Sequence, residues 1–176
     1  MDCFERAWLV IAAGQSRTHG GNDGYDDEIE NFYSWDSTVA HYRDLKIDDH
    51  IVLRSKHSLI GAGVLEDIEI WSGSKIRYRC TNKSCSSTKI KKRSSKVPIY
   101  NCQVCKIPFE TPGAESIEVV NYRGHYGNSF VHLTGIIDIK FLRQLSYYKP
   151  GSSHSMQPMN YGAFVEELRK LGRYID

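Results

Sequence analysis

The chain has 176 residues, 40% of them hydrophobic and 25% charged, with a formal net charge of +2. That is the make-up of a soluble globular domain with room for one core and a small appendage, and it excludes a repeat array or a low-complexity tract. No stretch approaches the roughly 20 apolar residues of a membrane span, and the opening MDCFERAWLVIAAG, with acids ahead of a short apolar run, does not read as a secretory signal; no membrane partner and a cytoplasmic location are expected.

In chain order, AWLVIAAG is a continuous apolar run ending at Gly14, the pattern of a buried strand. A long polar loop, QSRTHGGNDGYDD, follows. The next segment contains YSWDS and a short helix expected around Thr38–Arg43. HIVLRS predicts a strand, Lys56–His57 a turn, and SLIGAGVLEDIEIW a second strand whose Gly61 and Gly63 mark a close backbone approach or a bend. After a cysteine-rich interruption, ESIEVVNYRG resumes strand alternation and SFVHLTGIIDI predicts one more strand. IKFLRQLSYY reads as a short helix stopped by Lys149-Pro150-Gly151. In the last segment, Phe164, Leu168 and Leu171 recur at helical spacing, which predicts an amphipathic helix.

Charge is distributed unevenly. From Trp71 to Phe109 there are ten Lys/Arg and no Asp/Glu, whereas Asn22 to His50 holds nine acids against two bases. A basic lobe of this kind attracts phosphate, although a merely solvated hairpin has the same composition.

Inside the basic lobe, Cys80-x4-Cys85-x16-Cys102-x2-Cys105 forms two short-spaced pairs joined by a hairpin-length loop. Two facing pairs supply the four soft ligands of a tetrahedral site, and four thiolates leave no open coordination position, so the expected cofactor is structural Zn2+. Unligated thiols or a redox pair are the alternatives. Cys3 is left over as a free thiol. Lys89, Lys91, Lys92 and Arg93 sit in the connecting loop and are candidate phosphate contacts.

No convincing catalytic constellation is present. His125, Asn128 and His132 spell the letters of an HNH motif at the wrong spacing. Asp26, Asp27, Glu28 and Glu30 form an acidic run of the kind that is usually solvated. Nucleophile-elbow, Walker A, zinc-protease and dinucleotide signatures are missing from the sequence. The chain is therefore expected to be a binding domain rather than an enzyme.

The order of features from Trp8 to about Val119, namely an apolar strand, YSWDS, then LKIDDHIVLRSKHSLIGAGVLEDI, resembles the PUA superfamily of barrels that includes the EVE, ASCH, YTH and SRA domains. Asp48-Asp49 stands where that signature has Gly-Asp. With the ribbon RYRC…KIKKR…YNCQVC added, the layout resembles the amino-terminal reader domain of HNH-type, modification-dependent (type IV) restriction endonucleases.

The resemblance implies an α+β fold: a small, mostly β PUA-like barrel over residues 1–176 with peripheral helices and a zinc-ribbon insertion at 77–110. It implies a prokaryotic protein that binds double-stranded DNA carrying a 5-methyl or 5-hydroxymethyl cytosine and flips the base into an aromatic pocket. A fused or partner nuclease domain is expected outside this chain, with dimerisation of the full-length protein an open possibility. Tyr33 and Trp35 would wall the pocket, Asp36 would accept from the cytosine amino group, and Ser34, Ser37 and the backbone near Gly14 would complete the rim. Arg54, Ser55, Lys56 and His57 would contact the DNA backbone, and Arg17 and His19 would fill the gap left in the duplex. Ordinary core packing is the alternative for Tyr33 and Trp35. An RNA-binding PUA/YTH-like module is the alternative function, and a zinc domain or small enzyme with no nucleic-acid role is a third.

Overall fold

A computed structural model of the chain describes residues 6–12, 25–149, 152 and 154–175. Gly14, Arg17 and His19, named above for the pocket rim and the duplex gap, lie outside the described residues, as does Cys3. The described elements are, in order, β1 (Ala7–Ile11), β2 (Phe32–Asp36), β3 (His50–Arg54), β4 (Leu59–Val64), β5 (Asp67–Arg79), β6 (Ile90–Lys92), β7 (Tyr100–Cys102), β8 (Pro108–Phe109), β9 (Gly113–His125), β10 (Val131–His132), α1 (Ile139–Gln144), β11 (Met156–Pro158) and α2 (Tyr161–Lys170).

The strands form three sheets: a five-stranded one in the order β10-β4-β3-β1-β11, a three-stranded one in the order β2-β9-β5, and a small one in the order β6-β7-β8. The strand-rich class agrees with expectation, but these sheets are open and no closed barrel forms among the described residues. The chain crosses between the two larger sheets at Leu65–Glu66. The sequence reads as one strand through this point, yet Leu65 N–H bonds Asp49 O and Glu66 N–H bonds His125 O, so the chain leaves one sheet and enters another. Barrel closure needs an unbroken ring of paired strands, and the edge strands β10 and β11 of one sheet are not paired with β2 or β5 of the other.

β1 and β3 pair in parallel at the middle of the large sheet. Both faces of this pair are covered, which is why AWLVI and the IVL of HIVLR are unbroken apolar runs. On one face Leu9 and Val52 pack with Leu142, Phe164 and Leu168 of the two helices. On the other, Trp8, Val10, Ile51 and Leu53 pack with Tyr33, Trp35, Leu65 and Tyr126. The body is thus three layers: helices, large sheet, and the base of the β2-β9-β5 sheet.

Local chemistry fixes the ends of these elements. The Asp138 side chain caps α1 by accepting from Lys140 N and Phe141 N, and Asn160 caps α2 by accepting from Ala163 N. Tyr161, Phe164 and Leu168 form the buried stripe of α2, while Leu171, expected in that stripe, is its exposed C-cap. The helix expected at Thr38–Arg43 is a series of turns. There the Asp36 carboxylate takes the Thr38 N–H and hydroxyl, and His41 adopts φ 67, which a right-handed helix does not allow. The strand expected over Ser129–Ile139 shrinks to β10.

Two glycines are required by close packing. A Cβ on Gly61 would lie 2.6 Å from Val131 O across the β4–β10 pairing. A Cβ on Gly124 would lie 2.7 Å from Leu65 Cδ2 and 3.2 Å from Trp35 Cζ3.

β5 and β9 pair along all 13 residues of each strand. β2 flanks β9 only from Asn121 to His125. From Ser72 to Arg79 and from Gly113 to Val120 the pair therefore continues as a two-stranded arm. The cysteine module occupies the end of that arm, between the last residue of β5 and the first of β9.

Candidate metal centre and nucleic-acid interface

Cys80 and Cys85 flank a turn just past β5, while Cys102 ends β7 and Cys105 follows it by one turn. The fold brings all four Sγ atoms within 4.8 Å of one another, with Cys80–Cys105 at 3.6 Å and Cys85–Cys102 at 3.7 Å. A tetrahedron with metal–sulfur bonds of about 2.3 Å has edges of about 3.8 Å, so the thiols fit a metal ion. Backbone N–H groups of Asn82 and Val104 point at Cys80 Sγ and Cys102 Sγ, both at 3.4 Å, and Cys105 N–H points at Cys102 Sγ at 3.5 Å. Burial pushes the Cys102 thiol up, but the N–H groups of Cys105 and Val104 outweigh it and bring it down to about 6. Cys80 is pushed up to about 12, chiefly by burial. The module has its own small core, in which Cys80, Cys102 and Phe109 are surrounded by Ile90 and Tyr100.

The cations of the arm and those of the module differ in one respect. On the arm, Lys75 Nζ lies 2.5 Å from Asp36 Oδ2, and Arg77 and Arg79 both reach Glu115 Oε1 at 2.6 Å. Hydrogen bonds from Arg79 and then Arg77 hold the Glu115 carboxyl below the usual carboxylate range. From Cys80 to Phe109 the module has no acid to play that part. Lys83, Lys89, Lys91, Lys92 and Lys96 are exposed, and no carboxylate among the described residues pairs with them. Arg93 is turned inward instead: its guanidinium donates to Pro98 O, and its own N–H bonds Ile99 O, closing the β6–β7 loop.

The expected aromatic pocket is corrected by the structure. Tyr33 and Trp35 are each 1% exposed and belong to the core beneath the large sheet. Trp35 donates its indole N–H to Tyr42 O at 2.9 Å. Asp36, expected to accept from a cytosine amino group, is also 1% exposed and already engaged. Lys75, Tyr25 and Thr38 all donate to it. Burial raises its pKa, yet these hydrogen bonds, that from Lys75 foremost, leave it below the ordinary carboxylate value. Ser34 is buried, its hydroxyl donating to Asp26 O and its N–H to Asp27 Oδ1. Ser37 bridges to Val120 and lies at an open cleft along the arm rather than beside the two rings.

Of the residues expected on the DNA backbone, Arg54 is buried beneath α1, which removes it from the outer surface. The Ser55 hydroxyl is used within its own turn, accepting from His57 N and Ser58 N. Lys56 and His57 are exposed there. The HNH letters do not converge, since His125 faces Glu69, Asn128 donates to Glu66, and His132 faces Glu30. Among the described residues the four cysteines are the one cluster that fits a metal.

Sequence reasoning missed a second aromatic group. His41 Nδ1 lies 2.6 Å from Asp44 Oδ2, and its Nε2 meets the Tyr148 hydroxyl. Trp8 and His154 pack around these rings, with centroids of Trp8 and His41 5.8 Å apart and of Tyr148 and His154 5.1 Å apart. Beside this group a cavity of about 420 Å³ is lined by Arg6, Trp8, Asp44, Lys46, Tyr147 and Met159. Asp49, which is buried, ties three of the lining residues together by accepting from Trp8 Nε1 at 2.8 Å, from Arg6 and from Lys46 N. The preceding Asp48 has φ 70, a conformation that glycine adopts without strain. The only sequence signal for the group was the Trp8 and Asp49 pair, forty-one positions apart.

Comparison with protein-family models, with curated proteins and with solved structures finds no match to this chain. No described helix is long and apolar enough to cross a membrane.

Proposed function

We propose that this protein is a nucleic-acid-binding module whose cysteine finger, clipped by zinc and carried on the β5–β9 arm, grips the phosphate backbone. One observation carries this reading. The finger's lysines have no acidic partner among the described residues, whereas every arm cation named above is neutralised within the fold. A site evolved only for solubility has no need to separate the two. Exposed, uncompensated ammonium groups bind phosphate by releasing condensed counterions. Four thiolates in a closed tetrahedral set suit zinc in a structural role, fixing the loop that displays those lysines.

The preferred partner in this reading is duplex DNA carrying a modified cytosine. With Tyr33 and Trp35 in the core, an extruded base goes instead to the cavity between Trp8 and Tyr147, where Tyr147 is 67% exposed and Asp44 offers a carboxylate. RNA is the competing partner.

The test is a gel-shift panel on one short duplex with plain, methylated, hydroxymethylated and glucosylated cytosine, alongside its RNA counterpart, each across a salt series. Tighter binding to a modified duplex with a steep salt slope is expected. Equal binding to every duplex removes the base-reading part and leaves the finger. An absence of binding to all of them removes the proposal.

A further inference from the structure

Arg54 is the last residue of β3, and it is 5% exposed. Residues two apart on a strand share a face, so Arg54 lies on the same side as Val52, under the helices. Its register partners are Ile11 at the end of β1 and Leu59 at the start of β4. Among the described residues its one side-chain hydrogen bond runs from Nη1 to Ser55 O at 3.2 Å, while its buried Nε has no partner. No carboxylate among the described residues faces it. The charge that does is another cation, Arg143 in the last turn of α1. Burial, and then Arg143, hold the Arg54 guanidinium down at about 10, well below its ordinary value.

Arg143 is held in place by donating from Nη2 to Lys56 O at 2.7 Å. Lys56 and His57, in the same turn, are exposed. Two guanidinium groups therefore bond neighbouring carbonyls of one turn, Ser55 O and Lys56 O, where the described residues supply no negative charge. A buried charge without a counter-charge is strongly unfavourable, so this arrangement is a cradle for an anion that the fold itself does not provide. The planar guanidinium fork matches phosphate oxygens two at a time. The position agrees with a general rule of parallel strands, whose ligands sit outside their carboxyl ends; β1 and β3 are the parallel pair, and Arg54 closes one of them.

We propose that Arg54 and Arg143 form a binding site for a phosphate-class oxyanion, entered beside the turn at Ser55–Ser58. The anion is either free phosphate or a phosphate group of a nucleic acid. The site is separate from the finger and stands or falls independently of it.

The test is thermal melting of the full chain in sodium phosphate against sodium chloride at matched ionic strength. The proteins compared are the unaltered chain, Arg54→Met and Arg143→Met. Phosphate is expected to raise the melting temperature of the unaltered chain in a saturable way, and to move neither variant beyond the chloride control. In chloride, Arg54→Met is expected to melt above the unaltered chain, because an uncompensated charge has been removed. An unaltered chain that melts identically in the two salts overturns the proposal, as does an Arg143→Met variant that responds like the unaltered chain. Arg143 is exposed, so the second comparison decides even where Arg54→Met fails to fold. Repeating the melt with a 5′-phosphorylated oligonucleotide and its 5′-hydroxyl counterpart, in a chain carrying Lys91→Ala, Lys92→Ala and Lys96→Ala, assigns the source. A shift with the first alone marks a terminal phosphate, with both an internal phosphodiester, and with neither the free anion. Loss of the finger's own role is read separately, in the gel shift.

Discussion

Trp35 lies flat against Tyr122, their ring centroids 5.4 Å apart and their planes 9° from parallel. Tyr33 stacks on the same indole at 5.9 Å. These separations are those of aromatic pairs already touching, so no third ring enters between them. Truncation of Trp35 to Ala therefore acts on the core. It should cost about 3–5 kcal/mol of stability, as large buried aromatics do, and leave nucleic-acid affinity per folded molecule unchanged. Urea unfolding followed by binding measured on the folded fraction checks both. A variant that keeps its stability and loses only modification-dependent binding would restore the aromatic-wall reading.

Replacing Lys91, Lys92 and Lys96 together by Ala should weaken binding to all sequences alike. Each ammonium group withdrawn from a phosphate lowers the slope of log affinity against log salt by about 0.9, so the slope should fall by about 2–3. Metal content and melting temperature should stay as they are, because these side chains project from the finger without partners. An unchanged slope would make the finger a bystander.

Metal removal should melt one part of the molecule and spare the rest. The finger's core shares no residue with either core of the body, and its sheet is only three short strands. The protein should bind one equivalent of zinc, measured by elemental analysis. Chelation, or Cys102→Ser, should abolish amide protection between Cys80 and Phe109 and preserve it in β1, β3 and α2. Loss of protection throughout would show that the finger and the body fold as one unit.

Asp36 gives the fold an acid-side dependence whose sign follows from its environment. Its folded-state pKa lies below the ordinary value of about 3.9, with burial opposing and the hydrogen bonds of Lys75, Thr38 and Tyr25 prevailing. The stabilisation is therefore complete above about pH 4 and disappears as the pH falls further, through the folded-state value. Asp36→Asn should cost about 3 kcal/mol at neutral pH, since it leaves Lys75 without its counter-charge, and should flatten the fall of melting temperature below about pH 4. An Asp36→Asn variant with the same acid limb as the parent would show that the carboxylate carries no such linkage.

The sequence was most legible where one physical signal had a single reading. AWLVI and the IVL of HIVLR were apolar on both faces because a parallel pair is covered on both, and the four cysteines announced their meeting by spacing alone. The stripe of Phe164 and Leu168 on α2 was equally plain. YSWDS had two readings. A polar group in a core needs a partner. Those partners exist, but Tyr25, Asp26, Asp27 and Lys75 reach Ser34 and Asp36 only once the chain is folded. The break at Leu65–Glu66 was hidden for a similar reason. No turn residue marks it, and it is set by Asp49 and His125, each bonding one side of the switch. The Arg54 site was hidden in another way: its position as a strand-end arginine was visible, whereas the missing counter-charge is a property of three dimensions.

The pleat of the β5–β9 arm makes it a ruler. Inserting two residues into each strand beyond Ser72 and Val120 would carry the cysteine finger about 7 Å farther from the body with the same side facing inward. Inserting one residue into each would present the opposite side. The distance between the finger and the body, and the face the finger turns toward it, are thus set by the length and parity of the arm between them.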